Sequence, residues 1–236
     1  MYKINPAEII AFKIGDPLPF EWMNKKLNTL PDNERQRILR FHKLEDQQRT
    51  LLGHLAIRNL LQDKLTIPVH SLSIIRDQYG RPYLDPSHGF EIDFNLSHSG
   101  KWILTAMTAA GKIGVDVEEI KSIDLSVAKL CFTQEEMNFF QMIHPDEQLP
   151  FFFSIWTLKE AYVKAIGKGL LCPMDGFGFN MEDWSQNKLT LRTSLHSYHS
   201  FHFKLFQIEK NYVAAVCSTE SEPIQHVKVM DRSVFL

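Results

Sequence analysis

The run Ile113-Gly114-Val115-Asp116-Val117-Glu118 sets two carboxylates two residues apart among apolar, mostly β-branched neighbours. Read as a strand, it sends Val115 and Val117 to one face and Asp116 and Glu118 to the other. Like charges that close repel unless a cation lies between them, and an oxygen-only site of this kind suits Mg²⁺ or Mn²⁺. A second run, Trp156-Thr157-Leu158-Lys159-Glu160-Ala161-Tyr162-Val163-Lys164, reads as helix. Its Trp156, Glu160 and Lys164 recur every four residues and share a face, offering a third carboxylate and a cation for a phosphate oxygen. A third run, Phe94-Asn95-Leu96-Ser97-His98-Ser99-Gly100-Lys101-Trp102, ends a strand in a polar turn. Its hydroxyls, backbone N–H groups and imidazole suit a phosphate. Taken singly, each run has a plain structural alternative: acids on a solvated strand face, a surface Glu160–Lys164 ion pair, a histidine held for packing.

The elements that must carry these residues occur twice. Leu30-Pro31-Asp32 opens a short helix through Phe41, and a longer helix runs from Leu44 to about Gln62 with Leu51, Leu52, Leu55, Leu60 and Leu61 at helical spacing. Further on, Thr133-Gln134-Glu135-Glu136 is a capping-box signature for a short helix to about Met142. His144-Pro145-Asp146 reads as a break, and a long helix follows from about Gln148 to Ile166, stopping at Gly167. Strands are expected at 72–76, 90–96, 102–108, 113–118, 189–193, 202–207 and 212–217. The pattern points to a pseudo-duplicated α+β protein with a seam near Lys101, giving an N-terminal half at 1–100 and a C-terminal half at 101–236. A single α+β domain without internal symmetry is the alternative.

Bulk properties narrow the function. With 236 residues a sizeable core is possible, and the formal net charge of −2 gives no general pull toward nucleic acid or anionic membrane. Any anion must therefore meet a local cluster of cations. Three cysteines, Cys131, Cys172 and Cys217, are sparse and odd in number, which argues against a disulfide framework or a thiolate metal site. No apolar run reaches spanning length, and 1–14 lacks the layout of a signal peptide, so a reduced, cytoplasmic protein is expected. Three residues apart in a β-rich stretch, His196, His199 and His202 do not converge on one face.

Together and in this order, the runs resemble the Sfp-type (surfactin-synthetase-activating) 4′-phosphopantetheinyl transferases. That family's (F/N)-x-S-H-S loop, G-(V/I)-D-(V/I)-E strand and W-(S/T)-x-K-E-(A/S)-x-x-K helix are similar to 94–100, 114–118 and 156–164 here. Phe41-His42-Lys43 with Asp46, Arg49-Thr50-Leu51-Leu52-Gly53, Tyr79-Gly80-Arg81-Pro82 and Gly167-Lys168-Gly169-Leu170 extend the likeness to roughly 30–218. The resemblance implies two similar α+β halves in a monomer, with the active site between them. It implies metal ligation by Asp116, Glu118 and Glu160, contacts of Ser97 and His98 to coenzyme A phosphates, and contacts of Arg49, Thr50 and Arg81 to its nucleotide end. Lys164 falls to the pyrophosphate and Arg37 to the 3′-phosphate. Glu136 falls near an acidic position sometimes implicated in catalysis, although capping accounts for it fully. One departure stands out: Glu34 occupies a position that is often basic in the family, with Arg35 a neighbouring substitute.

The reaction so implied is attack of a carrier-protein serine on the phosphorus bearing pantetheine, with 3′,5′-ADP leaving. Peptidyl, acyl and aryl carriers all present that serine, so nonribosomal peptide, polyketide and fatty acid synthesis are all open. Glu160 or a metal-bound water would take the serine proton. Met137, Phe139, Phe140 and Met142 are expected to divide between core and a carrier-docking patch. A metal-dependent nuclease is the first rival, disfavoured by the near-neutral charge and the lack of a basic stripe. A non-catalytic protein on the same fold is the second.

Overall fold

A computed structural model describes residues 7–68, 71–109, 111–193, 200–220 and 227–235. In chain order, the first half holds β1 (Glu8–Lys13), α1 (Phe20–Leu27), α2 (Asp32–Leu39), α3 (Leu44–Leu65), β2 (Ile74–Arg76), β3 (Pro82–Leu84), β4 (Asp93–Ser99) and β5 (Trp102–Thr108). The second holds β6 (Ile113–Glu119), α4 (Gln134–Met142), α5 (Pro145–Ile166), β7 (Phe177–Phe179), α6 (Met181–Ser185), β8 (Leu191–Thr193), β9 (His202–Glu209), β10 (Tyr212–Ser218) and β11 (Val227–Met230). His196 and His199 lie outside the described residues. Strand β1 and helix α1 go beyond the elements expected from sequence, because each is short and carries no long periodic signal.

Two sheets form the middle of the molecule. One has the order β11-β1-β5-β4 and the other β6-β10-β9. Each central strand is apolar on both faces and divides its side chains between two environments. Ile10, Phe12, Ile103 and Met107 point toward α3 and the first core, while Ile9, Ala11, Trp102 and Leu104 meet Val115, Val117, Ala214 and Val216 between the sheets. On the far side, Val213, Ala215 and Cys217 join Leu158, Ala161 and Tyr162 of α5. The layers run helix, sheet, sheet, helix. A strand buried on both faces reads as a continuous apolar run, and β5 and β10 do. The two long helices, of 22 residues each, occupy equivalent places in the two halves, as the repeat predicts. The capping box at Thr133 and Glu136 is present as expected.

Several boundaries differ for physical reasons. Pro145 does not break the chain but opens α5 at its first turn, where no N–H is needed, and the His144 side chain accepts from Asp146 N. Ser97 to Ser99 belong to β4 rather than to a turn, and the turn itself is Gly100-Lys101. That places the seam expected at Lys101 inside the β4–β5 hairpin, where a cut would separate paired strands. The chain leaves the first sheet only after Thr108.

The sheets are sewn along one side by side chains. Asp93 Oδ2, Asn95 Oδ1 and Ser99 Oγ on β4 accept from the backbone N–H groups of Ile113, Val115 and Glu119 on β6 at 2.8, 3.0 and 3.1 Å. The Arg81 guanidinium completes this seam. It is bidentate to Asp93 at 2.7 and 2.9 Å and donates to the carbonyls of Ile113 and Lys164, each at 3.0 Å. With the Arg81 and Asp93 side chains only 11% and 7% exposed, breaking the pair leaves a buried charge, at a cost of about 3–5 kcal/mol. Arg81→Ala should therefore lower unfolding stability by about that much in urea titration of the free protein. Arg81→Lys, which keeps the charge but loses the fork, should recover only a fraction of it. A loss below about 1 kcal/mol would remove Arg81 from this structural role.

Candidate active site

Glycine sets the distance between β6 and α5. Gly114 lies on the same strand face as Asp116 and Glu118, and a Cβ there would sit 2.0 Å from the Ala161 carbonyl oxygen and 2.4 Å from Ala165 N. Without a side chain at 114, α5 settles directly on the strand, and its Glu160–Lys164 face comes down beside the strand's acids. Gly53 plays the matching role in α3, where a Cβ would be 2.9 Å from Leu96 of β4.

The result is a cleft of about 540 Å³ between the halves. Asp116, Glu118, Trp156, Glu160 and Lys164 of the second half line one wall. The first half supplies Arg37 from α2, Thr50 and His54 from α3, Arg76 from β2, and Ser97 and His98 from β4. All three expected acids and Lys164 are thus brought to one place.

Their bonding is specific. Asp116, 2% exposed, accepts on Oδ1 from Lys164 Nζ at 2.6 Å and from Ser97 Oγ at 2.7 Å. Lys164 Nζ also reaches Ser97 Oγ at 3.0 Å. Glu118 accepts from Ser99 Oγ at 2.8 Å and from Trp156 Nε1 at 3.3 Å. Burial, then the neighbouring Asp116 charge, pushes the Glu118 carboxyl upward. Glu160 is pushed upward by burial and by Asp116, against the pull of Lys164.

These residues suit a hard divalent cation. Asp116 Oδ2 is buried with no hydrogen-bond partner, and Glu160 has none among the described residues. Carboxylates pressed upward by burial and by one another are short of positive charge. They are not, however, drawn together as a finished ligand group: among the described residues no three His, Cys, Asp or Glu stand at metal-holding separation. Lys164 holds the inner oxygen of Asp116.

Other expected residues divide. Thr50 lines the cleft, its hydroxyl donating to the Asp46 carbonyl at 2.8 Å, and Arg37 is exposed at the cleft's edge. Arg49 pairs with Asp46 at 3.5 Å, outside the lining. Arg81 is a correction: the seam consumes its guanidinium, which leaves Arg76 as the arginine of that hairpin facing the cleft. Arg35 does not stand in for Glu34, because it pairs with Asp32 at 2.7 Å and with Asn28. Glu34 itself is buried and bonded to Arg58 at 2.6 Å and His54 at 2.8 Å. Lys159, from the same run as Glu160, is wholly buried; it pairs with Glu136 at 2.6 Å and donates to the carbonyls of Cys131 and Met174. Glu136 caps α4 and accepts from Phe179 N, a purely structural role. Sequence reasoning does not single out Arg76 or His54; the polar stripe Gln47, Thr50, His54, Arg58 on one side of α3 is the one local signal of His54.

The cleft sets three acids and Lys164 on one wall against Arg37 and Arg76 on the other. Residues 112–217 match the 4′-phosphopantetheinyl transferase superfamily, and residues 16–110 match the region described as 4′-phosphopantetheinyl transferase, N-terminal. The 4′-phosphopantetheinyl transferase gsp of Aneurinibacillus migulanus is 33% identical over 72% of this chain and 70% of its own. The 4′-phosphopantetheinyl transferase Sfp of Bacillus subtilis (strain 168) is 30% identical over 91% of this chain and 93% of its own. The solved holo-(acyl-carrier-protein) synthase of Bacillus anthracis str. Ames, in complex with CoA, aligns with a TM-score of 0.40 at 24% identity, over 47% of this chain and 96% of that one. The chain belongs to the 4′-phosphopantetheinyl transferase family, and the expected α+β architecture is that of the family.

His98 carries a pH consequence. Burial, then the charge of Arg49, brings its pKa from 6.5 down to about 4, so at neutral pH the ring of the free protein is uncharged. Its NMR titration in the free protein should show a midpoint near 4 rather than 6.5. The unfolded chain takes up this proton first, so the group draws folding stability down as pH falls from about 6.5 to about 4. A midpoint near the unperturbed value would show the ring to be solvated.

Proposed function

We propose that the chain is a magnesium-dependent transferase that moves 4′-phosphopantetheine from coenzyme A to a serine hydroxyl of an apo acyl, peptidyl or aryl carrier protein. The observation that carries the metal reading is the buried, unpartnered Asp116 Oδ2 beside two carboxylates pushed upward by burial. Asp116, Glu118 and Glu160 would hold Mg²⁺, which when bound neutralises charge on the pyrophosphate oxygens.

The chain's own residues would do the rest. Lys164 Nζ, between Asp116 and Ser97, is placed to turn onto a pyrophosphate oxygen and offset the charge left on departing 3′,5′-ADP. Ser97 Oγ would keep Asp116 oriented meanwhile. Glu160, which has no hydrogen-bond partner among the described residues, would use an oxygen not engaged with the metal to take the serine proton as oxygen attacks phosphorus. Phosphoryl chemistry of this sort rests on positioning and charge more than on covalent help.

Carrier docking is supported next to the acids rather than on α4. Phe140 is buried and Met137 and Phe139 pack on the core, leaving only Met142 of that expected patch exposed. A second, largely apolar cavity of about 530 Å³ is lined by Ile123, Val127, Leu130 and Phe152, and it shares Glu118 and Trp156 with the main cleft. Leu130 is 78% exposed beside it. A carrier helix seated there would hold its serine at the acids. A single cleft built from both halves of one chain supports a monomer. Three unpaired, buried cysteines agree with a reducing cytoplasm, and no helix among the described residues is long and apolar enough to cross a membrane.

Two experiments test this reading. Incubated with coenzyme A, Mg²⁺ and purified apo-carriers of each type, the chain should add phosphopantetheine mass to at least one carrier; Asp116→Ala, or chelation of the metal, should abolish the gain while the circular dichroism of the chain is kept. Near wild-type turnover by a folded Asp116→Ala variant would refute the metal assignment. Leu130→Glu should raise KM for the carrier about tenfold or more, with KM for coenzyme A unchanged, as expected when a charge enters an apolar docking contact. Equal loss on both substrates would count against docking at that surface.

A further inference from the structure

The three acids of the cleft share Lys164 as a neighbouring cation. Lys164 Nζ lies 2.6 Å from Asp116 Oδ1 and 3.0 Å from Ser97 Oγ, and the Ser97 hydroxyl gives its own hydrogen to the same Asp116 oxygen at 2.7 Å. Glu160 stands one helical turn before Lys164 on α5. Burial pushes the Glu118 and Glu160 carboxyls upward, and the charge of Lys164 acts on each in the opposite direction.

A carboxylate as buried as Asp116 stays charged only beside a counter-charge. In the free chain the Lys164 ammonium is that counter-charge. The two partners differ in freedom. The Asp116 side chain is 3% exposed, its backbone is paired with β10 at Ala215, and Ser97 holds its inner oxygen. The Lys164 side chain is 27% exposed, lines the cleft and stands on a flexible four-carbon stem. If the pair opens, the lysine is the partner that moves.

Lys164 therefore stands against any divalent ion brought to Asp116, since two cations on one buried carboxylate repel where water screens poorly. The ammonium engages Asp116 among the three acids, whereas a divalent ion held by all three gains what the lysine cannot. Once turned off Asp116, the ammonium faces the cleft and the pyrophosphate of the reading above. A pyrophosphate that draws Lys164 outward in turn frees the Asp116 oxygen. By linkage these are one coupling free energy seen from two sides.

We propose that Lys164 is the resident counter-ion of Asp116 in the free chain, and that its exchange between Asp116 and a pyrophosphate oxygen makes divalent metal and coenzyme A bind cooperatively. This rests on the metal and substrate of the transferase reading. Ser97 stays on Asp116 through the exchange and keeps the carboxylate in one orientation.

The test measures binding rather than turnover. Free Mn²⁺ is followed by electron paramagnetic resonance as it titrates the full chain, with and without coenzyme A. Lys164→Met should bind Mn²⁺ about tenfold more tightly than the unmodified chain when coenzyme A is left out, because the competing cation is gone. Coenzyme A should then strengthen Mn²⁺ binding by a smaller factor in the variant than in the unmodified chain. Unchanged or weaker Mn²⁺ binding by Lys164→Met, or an undiminished coupling factor, would overturn the counter-ion role. A second measurement needs no variant to fold. The ¹⁵Nζ resonance of a lysine ammonium held by Asp116 and Ser97 should be visible in the free chain and should shift or vanish on saturation with Mg²⁺. Its persistence unchanged in the metal-loaded chain would overturn displacement. Failure of the unmodified chain to bind Mn²⁺, with coenzyme A or without, would instead overturn the metal reading itself.

Discussion

Between β4 and β6, backbone pairing gives way to side chains. Asp93, Asn95 and Ser99 each accept from a β6 amide twenty residues on. A β6 edge left unpaired would bury amides without partners, at roughly 1–3 kcal/mol each. Because the donors are backbone and the acceptors are side chains, the two sheets are locked in register without becoming one continuous sheet. The same register puts Ser97 opposite Asp116, so the hydroxyl that completes the seam also orients the deepest acid. Stability and active-site geometry are here one set of bonds.

The second constraint is closeness. Gly114 lets α5 rest on β6, and only then do residues one turn apart on the helix face residues two apart on the strand. The acids end up in a half-buried place where their mutual repulsion is not relieved by water. The opposite wall comes from α2, α3, β2 and β4, all in the first half. The carboxylates of the cleft all come from the second half and both its arginines from the first, which makes the cleft a property of the pairing.

Much of this was legible in the sequence where the signal was local. Alternation in 113–118 gave the face shared by Asp116 and Glu118, four-residue spacing gave Glu160 and Lys164, and Thr133 with Glu136 announced the start of α4. What was not legible depended on partners far along the chain. Arg81 looked like a ligand contact because nothing nearby in sequence reveals that Asp93, Ile113 and Lys164 surround it. The polar 97–99 stretch looked like a turn because its partners are amides of another strand. Pro145 looked like a break because its missing N–H is harmless only at a helix start, which the tertiary fold decides. Glu34 looked like a defect in an anion site, and its burial against Arg58 gives it a structural reason that its own helix does not display.

The parallel pairing of β1 with β11 joins 9–12 to 227–230. On a ribosome, the first strand of this chain would emerge with one edge that no partner can cover until nearly everything else has been made. The sheet it belongs to can collect α3, β4 and β5 early, but its outer border stays open through synthesis of the whole second half. Such a border is a template for pairing with other chains. Completion of this sheet therefore waits on the arrival of β11. A chain shortened by a few tens of residues would keep every cleft residue named above and yet be left with an exposed, adhesive edge.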